Sequence, residues 1–120
     1  MTDCLPHFPE TTGPDVDGLK QHVMSKGTSL SWNLLSQDEV SCARWFSSAG
    51  TEFPVHTHSQ REWLIIYAGS MILKRDGHED QRLLPGMGVV IEPEVKHAGC
   101  FVEDCWYVGI TVPRAPEWPE

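Results

Sequence analysis

His56-Thr57-His58-Ser59-Gln60-Arg61-Glu62-Trp63-Leu64-Ile65-Ile66-Tyr67 decides the fold. Residues two apart on a strand share a face, with Cα atoms roughly 7 Å apart, so His56 and His58 can converge on one ion. After a turn at Ser59–Arg61, Glu62 opens the next strand. Glu62, Leu64 and Ile66 alternate there with Trp63, Ile65 and Tyr67. The carboxylate thus shares its face with apolar side chains, where it is costly unless a cation compensates it. Two imidazoles and a carboxylate on one face suit a divalent metal better than an exposed polar edge.

Outward from this stretch the chain alternates short extended runs with turns. Strands are expected at Ser29–Leu35, Ser41–Ser47, Glu52–His58, Glu62–Tyr67, Ser70–Arg75, Gln81–Leu84, Val89–Ile91, Ala98–Val102 and Trp106–Val112, rich in β-branched and aromatic residues. Asp76-Gly77 marks a hairpin, and Ala49-Gly50 and Pro85-Gly86 mark further turns. Many short strands with little helix predict an all-β sandwich or closed barrel. Residues 1–30, broken by prolines and glycines, read as an irregular arm on the barrel or on a partner subunit, with a short helical turn near Val16–Met24. The barrel spans 31–113. Residues 114–120, with Pro116 and Pro119, form an extended tail that Trp118 can anchor.

The run from Gly86 to Lys96 reads as turn, strand, turn, and ends at His97. This imidazole is the candidate third histidine, starting a strand with Gly99 and Phe101 on its face. Around it, Phe101, Arg44 and Leu64 are candidate pocket residues. Arg44 meets an anionic substrate if it faces inward and solvent if it faces outward. His7, His22 and His78 read as solvated loop residues.

The 120 residues fit one domain, long enough to bury a core unaided. A net charge of −8 with thinly spread Lys and Arg disfavours nucleic acid and anionic membranes as partners. The N-terminus has neither the basic nor the apolar region of a signal peptide, which makes a cytoplasmic location the expectation. Cys4, Cys42, Cys100 and Cys105 form no metal-binding pair and read as free thiols in small apolar positions. Cys100 and Cys105 flank Glu103-Asp104, an expected hairpin turn that places them on neighbouring strands. Of the five tryptophans, those on the outer face can form a dimer interface.

These residues resemble the cupin superfamily. Its first motif, G-x5-H-x-H-x3,4-E-x6-G, is matched at Gly50, His56, His58, Glu62 and Gly69. In its second, G-x5-P-x-G-x2-H-x3-N, Gly86 and His97 fit, while Glu92, Glu94 and Phe101 replace the proline, glycine and asparagine. The resemblance covers about residues 35–112. It implies a double-stranded β-helix, or jelly roll, that usually dimerises. One divalent iron, manganese, nickel, cobalt, copper or zinc ion is implied per chain, held by His56, His58, Glu62 and His97. The chemistry implied is that of a small-molecule enzyme of dioxygenase, isomerase, epimerase or lyase type. The alternative is a non-catalytic ligand-binding or sensor module. A storage role fits a short chain without a secretory signal less well.

Overall fold

Alternation of buried and exposed side chains sets the architecture. In Cys105–Val112, buried Cys105, Tyr107, Gly109 and Thr111 alternate with half-buried Trp106, Val108, Ile110 and Val112. Such a strand needs a second layer against its buried face. The structure, a computed structural model, describes residues 19–37 and 39–114. Among them are ten strands and no helix: β1 (Leu19–Val23), β2 (Thr28–Gln37), β3 (Val40–Ser47), β4 (Glu52–His56), β5 (Arg61–Ala68), β6 (Met71–Arg75), β7 (Gln81–Leu83), β8 (Gly88–Ile91), β9 (His97–Cys100) and β10 (Cys105–Val112). None of the described residues forms a helix long and apolar enough to cross a membrane.

Two antiparallel sheets form, one ordered β1-β2-β3-β10-β5-β8 and the other β4-β9-β6-β7. Ala43, Trp45, Leu64, Ile66, Met71, Leu73 and Tyr107 fill the core between them. This is the expected all-β, double-stranded β-helix. The glycines of the first motif have conformational reasons. Gly50 and Gly69 hold φ of 87° and 77°, in the left-handed region that side chains disfavour. A Cβ on Gly69 would also run into the Asp104 carbonyl. Asp76-Gly77 joins the paired β6 and β7, as expected of a hairpin.

Four expectations are corrected. Leu19–Val23 is neither irregular nor helical: it pairs with β2 along its length, from Leu19↔Trp32 to Val23↔Thr28. The strand carrying the first histidine ends at His56, so His58 sits in the loop to β5 rather than on the strand. Cys100 and Cys105 lie on consecutive strands of different sheets, because the chain crosses between layers at Glu103-Asp104 instead of turning back. Arg44 faces outward yet is only 1% exposed. Its register partner Trp32 covers it, with the guanidinium 4.5 Å from the ring centroid. Residues 1–18 and 115–120, with His7, Cys4 and Trp118, lie outside the described residues.

Candidate metal centre

Both sheets supply the centre. His56 ends β4 and His97 begins β9, and the two are direct register partners. Antiparallel pairing therefore presses their rings together, with centroids 4.1 Å apart. His58 reaches in from the loop, its ring centroid 5.0 Å from His97 and 5.9 Å from His56. One potential ligand atom from each of the three histidines lies within 4.8 Å of the others. Glu62 approaches from the opposite sheet on the inner face of β5. Its Oε1 is 3.1 Å from His58 Nε2 and 3.7 Å from His97 Nε2. The three imidazoles are the compact group, and the carboxylate stands at its edge.

Backbone carbonyls fix the imidazole protons. His56 Nδ1 lies 2.8 Å from the Pro54 oxygen, His58 Nδ1 3.0 Å from that of Gln60, and His97 Nδ1 2.8 Å from that of Val95. A carbonyl only accepts, so each Nδ1 carries the proton and a neutral ring keeps its lone pair on Nε2. That is the arrangement a metal-binding imidazole needs, with a backbone oxygen orienting it from behind. His97 is 5% exposed, and its buried Nε2 has no hydrogen-bond partner. A buried polar atom left in this way is costly without a ligand to receive it. The residues present therefore fit a divalent ion.

The titrations of the imidazoles diverge for separate reasons. Burial lowers the His97 pKa, against its bond to Val95 and with help from His56. The hydrogen bond that His58 Nε2 donates to Glu62 raises that of His58. Glu62 is 9% exposed, so in the absence of a metal His58 is its principal partner.

Behind the centre lies a cavity of about 470 Å³. Leu64 and Phe101 line it, and Phe101 also stacks on Tyr107. Arg44 does not line it, because its side chain is on the other face of the sheet. His22 does line it, although its position in the sequence suggests a solvated loop. The ring stacks on Trp45 with centroids 4.9 Å apart, and Nε2 is 2.8 Å from Ser31 Oγ. Alternation within Leu19–Val23 gives no signal for this, because His22 shares its face with Lys20. The thiol of Cys105 is fully buried and pushed up to about 12 by burial, which leaves it an inert core group.

A closed pair of antiparallel sheets carrying three convergent histidines defines a jelly-roll barrel with a metal-competent mouth. The comparisons agree: a family model of the cupin domain matches residues 45–102. Residues 45–102 are thus a cupin domain. No curated protein matches the sequence. Among solved structures, an RmlC-like cupin from Shewanella frigidimarina superposes with a TM-score of 0.72 at 18% identity, covering 86% of this chain and 90% of that one. KdgF from Halomonas sp. gives 0.71 at 17%, covering 84% and 94%. The DMSP lyase DddQ from Ruegeria pomeroyi gives 0.70 at 18%, covering 85% of this chain and 59% of the other. At these identities the likeness concerns the fold.

Proposed function

We propose that this protein is a metal-dependent enzyme acting on a small molecule. In this reading one divalent transition metal is held by Nε2 of His56, His58 and His97 and by the Glu62 carboxylate. The observation that carries the proposal is the set of three Nδ1-to-carbonyl hydrogen bonds, which turn the three Nε2 atoms toward one another and toward a cavity. A divalent ion bound there supplies Lewis acidity or redox capacity, with about two positions left for substrate if it is octahedral. The chain's own residues do the rest. The backbone carbonyls hold the imidazoles in register, Glu62 balances charge, and the apolar wall excludes water. The DMSP lyase among the structural neighbours supports small-molecule chemistry on this barrel. Dioxygenase, isomerase and lyase reactions all remain within the proposal, because a fold fixes no reaction.

The proposal includes a homodimer through the outer face of the six-stranded sheet. Trp32, Phe46, Trp106 and Tyr67 cluster there, and Ile65 is 40% exposed beside them.

Elemental analysis of protein purified without an affinity tag tests the metal. About one divalent ion per chain is expected, lost when His56 and His58 are both replaced by alanine. A folded, metal-free protein that gains no stability from added divalent ions overturns the proposal.

A further inference from the structure

The cavity is lined by the histidine cluster with Glu62 and Gln60 and also by His22, which a row of ring contacts through Trp45 and Phe53 separates from His56. Between them the wall is aromatic: Trp45, Phe53, Phe101 and Tyr107, completed by aliphatic side chains. Trp45 and Tyr107 lie within 7° of parallel at 6.1 Å, and Phe101 stacks on the same tyrosine at 18° and 5.3 Å. Phe53 meets Trp45 edge-on at 77°, linking this wall to the His56 ring at 5.2 Å. Among the described lining residues there is no Lys, Arg, Asp, Asn, Ser or Thr.

This lining restricts what fits. A charged group placed away from the histidines would lose its water without gaining a counter-ion. A molecule polar along its whole length would leave its middle hydroxyls unpaired against aromatic carbon. A flat apolar body gains contact with ring faces and edges. The volume lies in the range of about 300–1,000 Å³ usual for small-molecule sites.

His22 closes this row of rings. It is held between the Trp45 face and the fully buried Ser31, whose Oγ engages Nε2, so Nδ1 is the ring atom left to meet a ligand.

We propose that the ligand is a flat, ring-bearing molecule with a pair of chelating oxygens on one edge and no charge elsewhere. Its opposite edge faces His22. This inference rests on the metal reading above and deepens it by naming the class of substrate.

Two hydroxamates with the same chelating group test it on the cobalt-loaded full chain. Acetohydroxamate carries no ring and benzohydroxamate carries one. Each affinity, measured by calorimetry, is divided by that for free cobalt, and chelation is read from the cobalt absorption spectrum. Benzohydroxamate is expected to bind at least about tenfold tighter than acetohydroxamate. Adding a para carboxylate to the ring is expected to cost at least about tenfold. Trp45→Leu should reduce the ring's advantage below about threefold and leave acetohydroxamate unchanged. Phe53→Ala, at a half-buried position, makes the same test if Trp45→Leu fails to fold.

Equal normalised affinities for the two hydroxamates, or unimpaired binding of the carboxylated ring, overturn the inference while leaving the metal reading standing. Failure of the protein to bind cobalt, or of both hydroxamates to shift its spectrum, overturns the metal reading and this inference with it.

Discussion

His56 and His97 face each other as register partners across β4 and β9, with ring centroids 4.1 Å apart. Forty residues of chain separate them, and the sheet pairing alone brings them together. The β4–β9 ladder is therefore part of the candidate metal centre. His97→Ala should lower affinity for divalent metal by at least about a hundredfold, since it deletes a ligand outright. In wild type, metal at a hundredfold over Kd should add about 2.7 kcal/mol of stability. The variant should show almost none of that gain in denaturant titrations with and without metal. An unchanged gain would exclude His97 as a ligand.

Glu62 bonds His58 and approaches His97 from the other sheet. Glu62→Gln retains the shape and removes the charge. Metal affinity should fall, and the His58 pKa should drop back toward the ordinary value near 6.5, because the bond it donates to Glu62 is the largest cause of its rise. An NMR titration of the metal-free protein follows both imidazoles at once. A His58 titration that is identical in the variant would contradict the pairing.

Acid stability follows from the same rings. His97 and His22 have folded pKa values lowered first of all by burial. Each binds fewer protons folded than unfolded, so its contribution is present above about 6.5 and is lost as pH falls through the folded value. His58 behaves oppositely. Its pKa is raised, so its contribution is full below about 6.5 and is lost as pH rises through the folded value. His22→Phe should therefore flatten the loss of stability between about pH 7 and pH 5, measured by urea unfolding in the presence of chelator. A steeper acid limb in the variant would contradict the burial of His22.

How much of this was visible in the sequence depends on what each residue answers to. His56, His58 and Glu62 were legible because strand geometry and motif spacing both act on near neighbours. His97 was legible through the turn-strand-turn run before it, although its partnership with His56 is a property of the sheet. His22 was missed because its strand is short and only half-buried. Its inward face is created by β2 and Trp45, which no local pattern announces. Arg44 was misread because an outward residue is taken to be wet, whereas Trp32 on the neighbouring strand covers it. Arg44→Met should accordingly leave metal affinity unchanged and destabilise the fold by about 1–3 kcal/mol, through the polar contacts it leaves unmade. Loss of metal or hydroxamate binding in a folded Arg44→Met protein would return the arginine to the pocket.

Gly69 closes the first motif at a point where two constraints coincide. Its φ of 77° lies in the left-handed region, and a Cβ there would run into the Asp104 carbonyl and crowd Cys105. Asp104 in turn accepts a hydrogen bond from the Ala49 amide, beside the motif's first glycine. The turn after β5 is thus packed against the segment by which the chain crosses from β9 to β10. Gly69→Ala should cost more than about 2 kcal/mol, the strain of a left-handed non-glycine residue added to the displacement of a backbone neighbour. Gly50→Ala should cost less, since nothing lies within 4 Å of a Cβ there and only the backbone conformation objects. Urea unfolding of the two variants side by side separates the terms. Equal losses would mean that the close approach to Asp104 contributes nothing, and that conformation alone accounts for both glycines.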